Sequence, residues 1–147
     1  MNRKILFDMD GTIADLYGVK GWNEMLRNAD PTPYIEAKPL LNLSLLARLI
    51  HKAQSCGHKV IVVSWLAMDS THEYDRAVTE AKLNWLAKHL PSVDFDKIAI
   101  TPYGISKSNY ADEESILFDD NKKIRENFIG KSFEPSDIFE ILKKVCE

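Results

Sequence analysis

Two pairs of carboxylates stand out in the sequence, because each pair begins directly after the same apolar run, Ile-Leu-Phe. The pairs are Asp8 with Asp10 and Asp119 with Asp120, and Gly11 adds a turn-forming residue after the first pair. If the two runs are neighbouring parallel strands, all four carboxylates gather at one edge of the sheet. Such a concentration of negative charge favours a bound cation, and an all-oxygen ligand set suits Mg²⁺ better than a soft transition metal.

Two further polar residues stand where they can reach the same edge. Ser64 ends the apolar run at residues 60–63, and its hydroxyl can donate a hydrogen bond to an oxyanion. Lys107 precedes the second acidic pair and can bring a positive charge to it. Lys97 is the rival cation, but it begins a predicted strand and therefore points to the opposite edge of the sheet.

Taken in order, these residues resemble the four motifs of the haloacid dehalogenase (HAD) superfamily of phosphohydrolases. The motifs are a DxDGT strand end at residues 8–12, an apolar strand that ends in Ser64, the lysine Lys107, and a DD strand end at residues 119–120. The resemblance spans essentially the whole chain. It implies a Mg²⁺-dependent phosphatase that hydrolyses a phosphate monoester through an aspartyl-phosphate.

The resemblance also implies a role for each acidic residue. Asp8 is expected to attack phosphorus, and Asp10 to protonate the leaving oxygen and then to activate water. Mg²⁺ is expected to bind one oxygen of Asp8, the main-chain carbonyl of Asp10, and Asp119. Asp120 is expected to reach the ion directly or through water, although an acidic residue here could simply begin the next helix.

A phosphate-binding site follows from the same resemblance, built from side chains and from main-chain N–H groups after the first two motifs. Its residues are Met9, Asp10, Ser64, Trp65 and Lys107. Ser64 and Lys107 also count as catalytic, because they stabilise the charge of the phosphoryl group during the reaction.

Apolar strands alternate with amphipathic helices along the chain. Strands are predicted at residues 4–8, 59–64, 97–100, 115–119 and 131–133, and the main helices at residues 18–28, 41–56, 75–89 and 136–145. This alternation predicts an α/β fold, a Rossmann-like three-layer sandwich with a mostly parallel five-stranded sheet, HAD-like and with a minimal cap or none. The ligand site is expected at the carboxyl ends of the strands.

Size and composition narrow the class of protein. A chain of 147 residues fits a single HAD-like phosphatase domain at residues 1–147, with a small cap-like helical insert at about residues 17–40. The net charge of −3 and the scattered basic residues argue against binding to duplex nucleic acid, and no apolar run approaches the length of a membrane span. Cys56 and Cys146 match no metal-binding spacing, so we expect free thiols, with Cys56 buried, and a cytoplasmic location.

The substrate is less sharply indicated, because cap insertions select it in the HAD superfamily and this chain has little room for one. Aromatic and histidine side chains near the predicted site are candidates for the pocket wall: Tyr17, Trp22, Tyr34, Trp65, His72 and Tyr74. A small phosphorylated metabolite is the expected partner, and the oligomeric state stays open.

A narrower resemblance links residues 82–86 and 96–100, Lys107 and residues 117–120 to cytosolic 5′(3′)-deoxyribonucleotidases, and it makes a nucleoside monophosphate one candidate substrate. Those enzymes carry a larger helical cap, so two alternatives stay open. One is a phosphatase of a phosphorylated protein or nucleic-acid end, and the other is a receiver-like signalling module.

Overall fold

The computed structural model describes residues 2–147, and five of its strands form one parallel sheet. The strands in chain order are β1 (Lys4–Phe7), β2 (Ala14–Asp15), β3 (Lys38–Pro39), β4 (Lys59–Trp65), β5 (Lys97–Thr101), β6 (Ile116–Phe118) and β7 (Lys131–Phe133). The sheet has the order β5-β4-β1-β6-β7 with every neighbouring pair parallel, and β2 pairs with β3 as a separate antiparallel ribbon. The predicted α/β fold with a parallel five-stranded sheet is confirmed.

Within residues 2–147, five α-helices lie between these strands and a sixth follows β7. They are α1 (Trp22–Arg27), α2 (Thr32–Glu36), α3 (Leu43–Ser55), α4 (His72–His89), α5 (Lys122–Glu126) and α6 (Ile138–Lys144). The helix predicted at residues 75–89 begins three residues earlier, because the Thr71 side chain caps it by accepting a hydrogen bond from the Tyr74 N–H at 3.1 Å. The helix predicted at residues 18–28 is shorter, because Gly21 precedes α1 with a φ of 78° that a helix does not continue through.

The two faces of the sheet are covered unequally. Helices α3, α4 and α6 place their apolar side chains on the face that carries Phe7 and Phe118, and these residues form the larger core cluster. The other face carries Leu6, Val63 and Leu117 and is covered by Phe128 and by residues in and next to α5 and the 3-10 turn Lys107–Tyr110. This thin second layer leaves Lys107 close to the sheet.

The site is set by the position of β1 at the centre of the sheet. Strand β1 lies between β4 and β6, with Phe7 paired to Val62 on one side and to Phe118 on the other. The strand order reverses at β1, since the chain moves to β4 and β5 on one side and to β6 and β7 on the other. Residues that follow these three strands therefore meet at one carboxyl edge, where open α/β sheets bind their ligands.

Residues between β1 and α3 include the short helices α1 and α2, and α2 lies against α4. Tyr34 and Leu16 pack with Tyr74 and Val78 of α4 in a separate apolar cluster. The Trp85 indole on α4 also donates a hydrogen bond of 2.7 Å to the carbonyl oxygen of Ala37. Helix α4 thus connects this short insert to the sheet.

The cysteine prediction is wrong. Cys56 and Cys146 form a disulfide with a Cα–Cα distance of 5.9 Å, and Cys56 is exposed. Helices α3 and α6 pack side by side on the same face of the sheet, which brings the two cysteines together across 90 residues of sequence. The cytoplasmic prediction therefore has no support from free thiols. Within residues 2–147, no helix is both long and apolar enough to cross a membrane.

Candidate active site

Asp8 lies at the centre of the candidate site, directly after β1, and both of its carboxylate oxygens are held. The Lys107 ammonium donates to Oδ1 at 2.8 Å, and the Thr12 hydroxyl donates to Oδ2 at 2.9 Å. Asp8 is only 8 % exposed, so its carboxylate has little freedom to rotate. A carboxylate fixed in this way at a sheet edge is oriented toward one point in the cavity above it.

Lys107 links the two acidic motifs. Its ammonium contacts Asp8 and also donates to Asp119 Oδ2 at 2.7 Å, while Asp119 Oδ1 accepts a hydrogen bond of 2.9 Å from the Asn121 N–H. Burial lowers the pKa of Lys107, but the charges of Asp8 and Asp119 outweigh this effect and raise it above its ordinary value. The ammonium group therefore stays charged between the two carboxylates. The rival Lys97 begins β5 at the opposite edge of the sheet, as expected.

Three carboxylates converge closely enough to share one ion. Oxygen atoms of Asp8, Asp119 and Asp120 lie within 4.8 Å of one another. Burial and the charge of Asp8 raise the pKa of Asp119, and burial together with Asp8 and Asp119 raises the pKa of Asp120 to about 7. Burial is the larger cause of both pKa shifts, and the crowding of negative charge adds to it. The three-carboxylate donor set, all oxygen, fits Mg²⁺.

The Asp10 side chain lies apart from this cluster. Its carboxylate pairs with the Lys82 ammonium at 3.1 Å. Burial raises the pKa of Asp10, the Lys82 charge lowers it, and the Asp8 charge raises it, with a net upward direction. Across residues 2–147 the Asp10 carbonyl oxygen accepts no hydrogen bond, so it remains available to an ion, as the predicted metal role requires.

The turn after β1 exposes main-chain donors. The Met9 side chain is buried in the core, and its carbonyl oxygen accepts from three following N–H groups, which closes the turn. The N–H groups of Met9 and Asp10 donate to no protein acceptor within the described part of the chain, which suits the predicted binding of phosphoryl oxygens. Gly11 has a φ of 85°, and a Cβ at this position would collide with the Asp120 carboxylate.

Sequence reasoning missed Lys82. This lysine is fully buried on α4 and donates to Ser64 Oγ and to the Trp65 carbonyl oxygen, each at 2.7 Å, besides its pairing with Asp10. A signal was present in the sequence, because Lys82 stands inside the apolar stripe that includes Val78 and Trp85 on α4. A charged residue on a helix face that packs into the protein needs a buried partner.

Solved structures of other proteins have a similar fold. The D,D-heptose 1,7-bisphosphate phosphatase of Burkholderia thailandensis aligns with a TM-score of 0.53 and 16% identity, over 85% of this chain and 70% of that one. A chain of the Pnkp1/Rnl/Hen1 complex aligns with a TM-score of 0.54 and 22% identity, over 90% of this chain and 46% of that one. This chain has the HAD-like fold. The protein spans about half of the second matched chain.

The fold predicted from the four motifs is thus confirmed by structural similarity. A third match, the HAD domain of the effector protein Lem4 from Legionella pneumophila, covers 100% of this chain and 95% of that one, with 12% identity and a TM-score of 0.45. No protein-family model matches the sequence, and no curated protein matches it in a sequence search.

In this HAD-like fold the four acidic residues line one cavity of about 530 Å³. Two aromatic pairs border it, Tyr17 with Trp22 at 4.9 Å between ring centroids and Trp65 with Tyr103 at 5.0 Å. The predicted wall residue Tyr34 also lines the cavity.

Two residues predicted for the wall, Tyr74 and His72, are not there, and the aromatic wall residue Tyr103 was missed. Tyr74 is buried against the insert, and its hydroxyl donates to the Asp30 carbonyl oxygen. His72 is exposed at the start of α4 and borders a different surface cleft. Tyr103 joins the wall because the loop after β5 folds back, where the Trp65 indole donates to the Ile105 carbonyl oxygen at 2.7 Å.

Proposed function

We propose that the protein is a Mg²⁺-dependent phosphoric monoester hydrolase that works through an aspartyl-phosphate on Asp8. One observation carries the proposal: Lys107 bridges Asp8 and Asp119 at 2.8 and 2.7 Å in a group of three convergent carboxylates at the carboxyl edge of the sheet. Asp8, Asp119, Asp120 and the Asp10 carbonyl oxygen would hold Mg²⁺, which when bound neutralises charge on the phosphoryl group.

In the first step, a carboxylate oxygen of Asp8 forms a bond to phosphorus, and the bond between phosphorus and the leaving oxygen breaks. The Asp10 carboxyl gives its proton to that leaving oxygen, for which its raised pKa is suited. Lys107 stays charged beside Asp8 and offsets the negative charge that arrives with the phosphoryl group.

In the second step, water attacks phosphorus while the Asp10 carboxylate takes up its proton. The bond between phosphorus and Asp8 breaks, and inorganic phosphate leaves. We assign the N–H groups of Met9 and Asp10, which donate to no acceptor within residues 2–147, and the hydroxyl of Ser64 to binding the phosphoryl oxygens in both steps. We assign the Trp65 N–H to the same role.

The cavity supports a small phosphorylated metabolite as the substrate, with a nucleoside monophosphate as one candidate. Aromatic pairs on two sides of the cavity offer faces on which a base can stack, a contact worth about 1–3 kcal/mol per base. We assign residues 17–40 as a small cap-like insert of this single domain, because Tyr17, Trp22 and Tyr34 from this segment border the cavity.

A second candidate substrate is a phosphorylated end of a protein or nucleic acid. The cavity is bordered by the exposed side chains of Tyr17, Met68 and Tyr103, so a bulky substrate can approach it. A receiver-like module is disfavoured. In a receiver the phosphorylated aspartate and the acidic pair follow different strands, whereas Asp8 and Asp10 both follow β1.

A phosphoester panel with added Mg²⁺ tests the proposal. Nucleoside monophosphates, sugar phosphates, 5′- and 3′-phosphorylated oligonucleotides and a phosphopeptide are compared for phosphate release by wild type and by Asp8→Asn. We expect multiple turnovers by wild type that stop with EDTA, and a loss of roughly 10³-fold or more in Asp8→Asn. Equal phosphate release by both proteins contradicts the proposed nucleophile. Phosphate release that stops after one turnover favours the receiver-like alternative.

A further inference from the structure

A second buried lysine belongs to the candidate active site. Lys82 lies on α4, and its side chain is 0 % exposed. Its ammonium has three hydrogen atoms, and three acceptors surround it: Ser64 Oγ at 2.7 Å, the Trp65 carbonyl oxygen at 2.7 Å and Asp10 Oδ2 at 3.1 Å. Every donor of this ammonium is therefore directed at the site.

The apolar neighbours of Lys82 on α4 do not require a charged side chain at this position. Its helical neighbours Val78, Ala81 and Trp85 are apolar and buried, and a methionine fills a comparable volume without bringing a charge out of water. Within residues 2–147 its carboxylate partner is Asp10 alone. The hydrogen bonds and the ion pair of this buried lysine all end on residues of the site. Its presence is therefore explained by its effect on the orientation of those residues.

The first consequence concerns the Ser64 hydroxyl. Because Ser64 Oγ accepts the hydrogen bond from Lys82, the hydrogen of its own hydroxyl must point in another direction. It donates to no protein acceptor within the described residues, and Ser64 lines the cavity above the three carboxylates. Lys82 thus turns Ser64 into a donor aimed at a phosphoryl oxygen.

The second consequence concerns the Asp10 carboxyl. The pairing with Lys82 holds this side chain outside the group formed by Asp8, Asp119 and Asp120, yet on the wall of the same cavity. The two lysines therefore divide the site. Lys107 holds the nucleophile and the metal ligand, and Lys82 holds the proton donor and the phosphate-binding hydroxyl.

We propose that Lys82 is a positioning residue for phosphoryl transfer, which aims the Ser64 hydroxyl at the phosphoryl group and the Asp10 carboxyl at the leaving oxygen. The proposal rests on the proposed phosphatase function. It predicts a dependence on the leaving group, because a displaced Asp10 matters most when the leaving oxygen needs a proton.

The experiment compares kcat/KM of Lys82→Met for glycerol phosphate, whose leaving group needs a proton, and for p-nitrophenyl phosphate, whose leaving group does not. We expect losses of roughly 10³-fold and roughly 10-fold, respectively. Lys88→Met, the same change at an exposed position of α4, serves as the matched control and is expected to stay within about twofold of wild type. In the Ser64→Ala background, the loss caused by Lys82→Met on p-nitrophenyl phosphate is expected to shrink to about twofold, because the two residues act together.

Lys82→Gln, which fills the same place with a neutral amide, repeats the test if the methionine variant does not fold. Equal losses for both substrates, or full additivity with Ser64→Ala, overturn the positioning role. Failure of both Lys82 variants to fold while Lys88→Met folds normally assigns the lysine to stability and also overturns it. Absence of turnover by wild type is a different result, because it refutes the proposed function and removes the role of Lys82 with it.

Discussion

Replacing Lys107 by methionine tests how much the charge of this side chain contributes to the stability and to the activity of the protein. Lys107 is 3 % exposed and is the cation between Asp8 and Asp119, the latter 1 % exposed. Lys107→Met leaves two buried carboxylates facing each other without their shared counter-charge. A variant of the same length isolates the effect of the charge, because the aliphatic part of the side chain is kept.

Breaking a buried ion pair by removing one partner costs about 3–5 kcal/mol. For a domain of about 150 residues, each kcal/mol shifts Tm by roughly 2–4 °C, so the metal-free variant is expected to unfold roughly 6–20 °C below wild type. Mg²⁺ neutralises the same carboxylates, Asp8 and Asp119. We therefore expect Mg²⁺ to raise Tm more in Lys107→Met than in wild type, while phosphatase activity is lost in the variant.

Thermal unfolding followed by circular dichroism, with EDTA and with a Mg²⁺ series, measures both quantities. Lys97→Met is the control, because Lys97 is exposed and its contact is a cation–π interaction with Tyr110, worth about 0.5–1 kcal/mol at such a site. A metal-free Tm equal to that of wild type, or a Mg²⁺ shift smaller than that of wild type, refutes the reasoning that Lys107 and the ion share their partners.

Three further predictions concern pH, the turn after β1 and the disulfide. Because burial and neighbouring charge raise the pKa of Asp119 and that of Asp120 to about 7, these carboxyls bind protons more tightly when folded. The stability of the metal-free protein should therefore fall as pH rises from about 4 through 7, and Mg²⁺ should reduce this fall. Thermal unfolding measures both, and an equal slope of Tm against pH with and without Mg²⁺ argues against the prediction. Gly11→Ala forces a side chain into φ of 85° beside Asp120, and urea denaturation should show a loss of about 1–3 kcal/mol, whereas an unchanged midpoint contradicts the strain. Cys56→Ser should lower stability by about 2–4 kcal/mol in denaturant with kcat/KM unchanged, because the disulfide lies before β4, at the edge of the sheet opposite Asp8; a loss of activity without unfolding contradicts this.

The sheet and the acidic site were predictable from sequence for a local reason. Each strand is an apolar run, and the polar residue directly after it must fall at the carboxyl edge once the strands are parallel. Asp8 and Asp119 follow this rule, and Ser64, which ends the apolar run of β4, is the second-last residue of that strand. Lys107 lies in a turn rather than on a strand, and its place followed from its position in the motif order instead.

The features that sequence reasoning missed all depend on contacts between distant parts of the chain. Lys82 has the spacing of a core residue, so its partners became evident only when α4 was placed against β4 and the turn after β1. The pairing of Cys56 with Cys146 depends on the packing of α3 against α6, and the position of Tyr103 depends on how one loop folds back. Periodicity along one helix or strand carries no information about such pairings.

Acid-quench trapping of the intermediate tests the role of Asp8 most directly. In Asp10→Asn with p-nitrophenyl phosphate, the first step proceeds without a proton donor, but the second step lacks the base that activates water, so the phosphorylated enzyme should accumulate. Tandem mass spectrometry after a rapid quench is expected to place one phosphoryl group on Asp8, with none in the Asp8→Asn/Asp10→Asn double variant. Nitrophenol release with no phosphoryl group on the protein, or with the group on another residue, contradicts the aspartyl-phosphate mechanism.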